Sequence, residues 1–339
     1  MGPVDEDGYC AVRSLPMTIL VTGAAGFIGS HAASAFLERG ERVIGFDNFD
    51  GYYDPKRKRA NVAEVAAAAP RDAFTMVEGD LRDRELILRL FRESSFKSVV
   101  HLGALAGVRA SCDEPQVYFD VNVGGTLNLL DAARGNGSPN FVFASTSSVY
   151  GATPRVPFVE DDPADRPLAP YPASKRAAEL LGHSYHHLYG LDFTALRFFT
   201  VYGPRGRPDM LTFKLVDAIR TGVALTLFDG GRMLRDWTFV SDTVAGVVAA
   251  AERRLGYEVV NLGRGEPVLV SDFIATFERL TGRKVPFVEA PRPGADVERT
   301  HANIDKARRL LGYEPRVSVT EGAEGFLAWF ERVVATLDR

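Results

Sequence analysis

Tyr171 and Lys175, in Tyr171-Pro172-Ala173-Ser174-Lys175, stand four residues apart, which puts them on one face at the start of a helix. An ammonium beside a phenol favours the phenolate and draws its pKa from about 10 toward neutrality. Such a phenolate is a usable general base for a hydroxyl proton. Upstream, Ala144-Ser145-Thr146-Ser147-Ser148-Val149-Tyr150-Gly151 carries four consecutive hydroxyl residues where a strand should end. Thr146 there could share a hydrogen bond with a substrate hydroxyl; a polar turn capping itself is the other reading. Taken alone, the Tyr/Lys pair reads more readily as an exposed helix face.

The glycine loop changes that balance. Thr22-Gly23-Ala24-Ala25-Gly26-Phe27-Ile28-Gly29 follows an apolar, β-branched run and opens a helix. Glycines at such a junction allow a tight turn and a close approach of backbone to a pyrophosphate, which meets the helix N-terminus. Asp47, at the end of the second strand, would accept from both ribose hydroxyls and repel a 2′-phosphate, so NAD is favoured over NADP. Asp80-Leu81 ends the third strand, where Asp80 reads equally as an adenine contact or as a strand-end or helix-capping residue. His101, at another strand end, reads as a packed, hydrogen-bonded histidine.

These groups need a frame that brings strand ends together. Strands are expected at 17–22, 42–46, 73–77, 98–102, 141–144 and 192–197. Helices are expected at 57–69, 83–92, 115–134 and 173–188, besides the one opened by the glycine loop. Repeated βα units imply an α/β fold, a doubly wound parallel (Rossmann) sheet. Residues 17–200 form its nucleotide-binding domain. Residues 201–339 form a smaller C-terminal lobe with segments returning to the sheet. Ser241, Ser271 and Ser318 read as helix N-caps, Ser318 with Glu321 as a capping box. Residues 1–16 read as a disordered extension or a misplaced start, and Asp5, Glu6 and Asp7 argue against a signal peptide.

The 339 residues are 46% hydrophobic and 25% charged, the balance of an ordinary globular protein rather than a disordered chain. A net charge of −4 offers no bulk attraction to nucleic acid or anionic membrane. Two cysteines, Cys10 and Cys112, make no disulfide framework and fit a reducing cytoplasm. No metal site is expected.

In combination, TGxxGxxG, the Asp after the second strand, Asn122 in Val-Asn-Val, the hydroxyl strand end and YxxxK resemble the extended short-chain dehydrogenase/reductase family over residues 17 to about 335. The resemblance implies bound NAD, a UDP-sugar substrate and a homodimer built on helices 115–134 and 173–188, which should then show outward apolar stripes. It carries Thr146, Tyr171 and Lys175 over as the catalytic group. Gly23, Gly26, Phe27, Ile28, Gly29, Asp47, Asn48, Asp80, Leu81, Leu102, Gly103, Ala104 and Asn122 become cofactor contacts, with Tyr171 and Lys175.

Within that family, Gly51-Tyr52-Tyr53-Asp54-Pro55, Ala106-Gly107-Val108-Arg109, the run Leu196 to Met210, and Met233-Leu234-Arg235-Asp236 are similar to the UDP-glucuronate 4-epimerases. Related dehydratases and decarboxylases carry an acid where this chain has Ser147 and Ser148. By this likeness Arg109, Thr146, Ser147, Ser148, Thr200, Arg207, Met210, Thr212, Phe228 and Arg235 hold substrate. Thr200 and Arg207 take the sugar carboxylate, Arg235 the diphosphate, and Phe228 the uracil. For Arg207 a solvated surface remains an equal alternative. Arg205 reads as solvated surface, and Asp236 as a partner of Arg235. A UDP-glucose 4-epimerase, a UDP-glucuronate decarboxylase and a non-catalytic NAD-binding regulator are the competing readings; retention of both Tyr171 and Lys175 speaks against the last.

Overall fold

The computed structural model describes residues 17–337, so the expected extension at 1–16 lies outside the described residues. The first half alternates strand and helix: β1 (Thr18–Thr22), α1 (Phe27–Glu38), β2 (Val43–Asp47), α2 (Pro55–Ala68), β3 (Phe74–Glu78), α3 (Arg84–Glu93) and β4 (Phe96–His101). Two short helices, α4 (Ala110–Asp113) and α5 (Pro115–Phe119), precede α6 (Gly125–Arg134), β5 (Asn140–Thr146), α7 (Pro170–Tyr189) and β6 (Phe193–Phe198).

The second half contains β7 (Thr200–Tyr202), α8 (Leu211–Thr221), β8 (Leu225–Phe228), β9 (Leu234–Arg235), β10 (Trp237–Phe239) and α9 (Val240–Ala251). It continues with β11 (Tyr257–Leu262), β12 (Val268–Leu269), α10 (Val270–Thr281), β13 (Phe287–Ala290), α11 (Asp305–Leu311) and α12 (Val319–Leu337).

Seven strands make one parallel sheet in the order β11-β6-β5-β4-β1-β2-β3. The doubly wound Rossmann fold expected from the βα alternation is therefore present. Chain direction across the sheet reverses between β1 and β4, which opens a crevice beyond their carboxyl ends. Every residue of β1 and of β5 is buried, because helices cover both faces. Separate apolar clusters fill the two faces. From the second half, β11 completes the sheet beside β6, and α9 packs on α1. A third cluster, with Trp237 stacked on Phe273 at 3.8 Å, sits beneath α8, α10 and α12.

Local chemistry explains most helix ends. Asp54 caps α2 through the Lys56 amide at 2.9 Å, and Pro55 follows at the first helical position. The helix expected from Ala173 begins at Pro170, since prolines are tolerated in a first turn. The helix expected over 115–134 is interrupted by a π turn, Asp120–Gly124. Ser318 and Glu321 form the capping box: each backbone amide meets the other's side chain, at 2.9 and 3.2 Å. Ser241 and Ser271 are not caps. β10 and β12 run straight into α9 and α10, leaving Phe239 and Leu269 at the cap positions and both serines inside the helices.

Candidate active site

Each group sits where a strand ends. After β1, Gly23 has φ +69°, and a Cβ there would lie 2.7 Å from the Gly103 nitrogen. A Cβ on Gly29 would lie 2.0 Å from the Gly23 carbonyl oxygen, so α1 can approach the loop only with glycine at that place. Gly26 caps α1 without a side chain. The first-turn amides are thus left for a ligand, and the partial positive charge of the helix end favours an anion. Gly23, Gly26, Phe27, Ile28, Gly29, Leu81, Leu102, Gly103 and Ala104 line one cavity of about 350 Å³.

Asp47 and Asn48 line the same cavity. One Asp47 carboxylate oxygen accepts the Ala25 amide at 3.1 Å and the other the Phe49 amide at 2.8 Å. Burial raises its pKa, and Lys58, 4.0 Å away, pulls it back down. Asp80 also faces the cavity. Hydrogen bonds from Arg82 hold its pKa down to about 2, with Asn48 adding one at 3.2 Å. The cap reading of Asp80 is overturned, because Asp83 caps α3 through the Leu86 amide at 3.0 Å. Asn122 stands behind the wall. In the π turn it pairs with both polar groups of the Leu105 backbone, at 2.9 and 3.0 Å, and donates to Ser174 Oγ. It shapes the loop after β4 rather than facing the cavity. His101 is packed as expected, between Thr22 Oγ1 at 2.7 Å and Thr126 Oγ1 at 3.0 Å.

Thr146 ends β5, and the first turns of α7 carry Tyr171 and Lys175 to the same place. All three line the cavity, and Tyr171 is hydrogen-bonded to Thr146. The Tyr171 amide donates to Ser111 Oγ at 3.0 Å, tying the helix start to α4. Lys175 is buried, its ammonium 4.7 Å from the Phe143 ring, and burial brings its pKa down to about 7 while Glu179 raises it. The electrostatics differ from the sequence expectation. Burial raises the Tyr171 phenol; the charge of Arg207 and then the Thr146 hydrogen bond lower it. Of the influences that lower it, the charge of Arg207 is the largest.

Behind the triad lies a network that sequence patterns did not single out. Glu179, fully buried one turn beyond Lys175, accepts from Ser145, from Arg176 and from Arg197 in two bonds. Only a pairing of β5, β6 and α7 in space reveals it.

A second cavity, about 790 Å³, adjoins the first and is lined by Arg109, Phe228 and Arg235. Thr200 and Tyr52 belong to both walls; Arg207 and Met210 face the first. Arg109 bonds Asp296 at 2.6 Å and lies 4.5 Å from the Phe228 ring centroid. Burial lowers the Arg235 pKa; Asp296 opposes this, while Arg292 and Arg109 add to it. Such a concentration of cations suits an anionic ligand.

Two expectations, for Arg205 and Asp236, are corrected, and three residues expected to hold substrate, Ser147, Ser148 and Thr212, line neither cavity. Ser147 and Ser148 turn into a 3-10 turn, where the Ser148 amide caps back onto Thr146 Oγ1 at 3.2 Å, so both lie outside the two cavity walls. Thr212 is buried in the first turn of α8, behind Met210. Arg205 is not solvated surface: its side chain, 13% exposed, bonds Glu64 at 2.9 Å and fastens the loop before α8 to α2. Asp236 does not pair with Arg235, since successive strand residues face opposite ways. It is buried and accepts the amides of Arg264, Gly265 and Ala302.

The model of the Epimerase family, described as the NAD dependent epimerase/dehydratase family, matches residues 19–263. The chain belongs to this family. Its sequence is 44% identical over 333 residues to UDP-glucuronate 4-epimerase 4 of Arabidopsis thaliana, covering 93% of this chain and 75% of that one. It is 42% identical over 312 residues to UDP-glucuronate 4-epimerase of Thermodesulfobacterium geofontis, covering 91% and 95%. The fold matches the crystal structure of UDP-glucuronic acid 4-epimerase from Bacillus cereus in complex with UDP-glucuronic acid and NAD. The TM-score is 0.87 at 34% identity, covering 94% of this chain and 100% of that one. Membership in the NAD dependent epimerase/dehydratase family agrees with what the first cavity can hold. Its glycine cradle, uncapped helix start and strand-end Asp47 fit a dinucleotide.

Proposed function

We propose that the protein is a UDP-glucuronate 4-epimerase that converts UDP-glucuronate to UDP-galacturonate through a transient 4-keto sugar. The observation that carries this reading is the continuity of the two cavities. Thr146, Tyr171 and Lys175 stand on one side of the junction, and Thr200 and Arg207 border it. A hydroxyl at C4 and a carboxylate at C5 of one sugar ring would meet these two groups together.

NAD, when bound, supplies the redox capacity for oxidation at C4 and its reversal. The first-turn amides of α1 hold the pyrophosphate, and Asp47 takes the ribose hydroxyls. Tyr171 as phenolate removes the C4 hydroxyl proton, Thr146 shares the hydrogen bond, and Lys175 adjoins them. On the return half-reaction Tyr171 gives the proton back. The 4-keto uronate is a β-keto acid and loses CO2 when its carboxylate bond aligns with the carbonyl π-system. Thr200 and Arg207 hold the carboxylate away from that alignment by charge-assisted hydrogen bonds. Arg109, Arg235 and Phe228 receive the nucleotide.

A homodimer is part of this reading. Leu127 on α6 and Leu180, Leu188 and Tyr189 on α7 are exposed apolar side chains on the two helices expected to pair, Leu188 at 64%. A cytoplasmic location accords with the exposed free Cys112.

The test is incubation of purified protein with UDP-glucuronate and no added NAD, followed by NMR and mass spectrometry. A product of unchanged mass inverted at C4 supports the reading. Loss of CO2 makes it a decarboxylase, and turnover of UDP-glucose alone makes it a neutral-sugar epimerase.

A further inference from the structure

Arg207 already holds a carboxylate. Its Nε donates to Asp209 Oδ1 at 2.9 Å and its Nη2 to Asp209 Oδ2 at 2.8 Å. The same Oδ2 accepts the Tyr52 hydroxyl at 3.3 Å, and the Arg207 guanidinium lies 5.6 Å from the Tyr52 ring centroid. Tyr52 comes from the Gly51–Pro55 loop between β2 and α2, and a Cβ on Gly107 would lie 2.7 Å from its hydroxyl. Arg207 faces the first cavity, Asp209 the second, and Tyr52 both. The cluster therefore stands at the junction through which the sugar must reach Tyr171.

We propose that Asp209 is a specificity-determining residue: a resident counter-carboxylate that competes with the sugar carboxylate for Arg207 and is itself steadied by Tyr52. This rests on the epimerase reading above. A neutral sugar entering the junction leaves Arg207 paired, so the half-buried guanidinium keeps its partner. An incoming uronate either replaces Asp209 on the fork or takes the free Nη1 edge. In both cases it binds against a second negative charge. If it replaces Asp209, the Tyr52 hydroxyl remains as that carboxylate's partner. Substrate and product are both uronates, so the competition weakens both alike and speeds release without favouring either epimer. Asp209 thus narrows the gap in affinity between uronates and neutral sugars.

Asp209→Asn keeps the shape and removes the charge. Dissociation constants for UDP, UDP-glucuronate, UDP-galacturonate and UDP-glucose, measured by calorimetry on wild type and variant, read the effect. Both uronates should bind roughly tenfold tighter, UDP-glucose no tighter, and UDP unchanged. In Arg207→Gln/Asp209→Asn the gain should vanish. Should Asp209→Asn not fold, Asp209→Ser carries the test, since it also removes the charge: both uronates should again bind several-fold tighter and UDP-glucose no tighter.

Uronates that weaken, or sugars that change alike while UDP binding holds, would show that Asp209 only anchors the turn. Because the readout is binding, it separates from the epimerase reading. Loss of that reading appears as no turnover of UDP-glucuronate by wild type, whatever Asp209→Asn does to affinity.

Discussion

The guanidinium of Arg207 lies close enough to Tyr171 for its charge to be the leading influence that lowers the phenol's pKa against burial. In the proposed reaction one side chain would thereby serve both proton transfer at C4 and recognition at C5. Burial brings the Lys175 pKa down to about 7, and Glu179 opposes it.

Replacing Arg207 should therefore move two observables. Arg207→Gln should weaken UDP-glucuronate binding far more than UDP-glucose binding. It should also shift the rise of kcat for UDP-glucuronate to higher pH, because a positive charge that favours phenolate is gone. Equal losses for the two sugars, with an unmoved pH profile, would remove Arg207 from both roles.

Tyr171→Phe keeps the ring in its place beside Tyr118, 6.3 Å away, but has no proton to exchange. Turnover of UDP-glucuronate should fall by roughly 10²–10⁴ while its binding changes little. Calorimetric titration beside a coupled rate assay checks this. A variant that keeps its rate would assign the proton to another group.

Asp47 touches the Ala25 and Phe49 amides as well as the cavity. Asp47→Ser should lower the NAD that copurifies with the protein and relax the exclusion of NADP. Absorbance of the extracted nucleotide and titration with each dinucleotide read the two effects. Unchanged NAD content would make Asp47 a loop fastener only.

His31 accepts burial as a neutral ring, its Nε2 at 2.9 Å from the Pro204 carbonyl oxygen, and burial brings its pKa down to about 4. In the unfolded chain it protonates near 6.5. The unfolded state therefore takes up a proton first, and stability drops as pH falls from about 6.5 to 4, by no more than about 3 kcal/mol. Urea midpoints at several pH values should show that slope, and His31→Gln should flatten it. An unchanged slope would pass the effect to other groups such as His101, whose pKa burial also pushes well down.

Leu180 is 52% exposed on α7, and Leu188, two turns further on, is 64% exposed. Leu180→Glu should convert a dimer to monomer by light scattering at micromolar concentration, because a carboxylate buried in an apolar seam lacks a partner. A monomeric wild type would dismiss the dimer.

The sequence by itself determined the frame and most of the expected residues that line the first cavity. Buried strands, alternating helices and a glycine loop depend on local period and on backbone freedom at single positions such as Gly23 and Gly29. Those signals survive in one dimension, and so do the i, i+4 placement of Tyr171 and Lys175 and the capping box at Ser318.

Tertiary structure alone decided which charges meet. Arg207 on Asp209, Arg205 on Glu64, and Arg197 on Glu179 are pairings made by chain reversal and loop geometry, which spacing in sequence leaves open. The same holds for Ser147 and Ser148, whose turn takes them off the wall, and for Asn122, which a π turn sets behind it. Charge acts through space at a few ångströms, so the work of each ionisable group is set by the fold that brings its partners near.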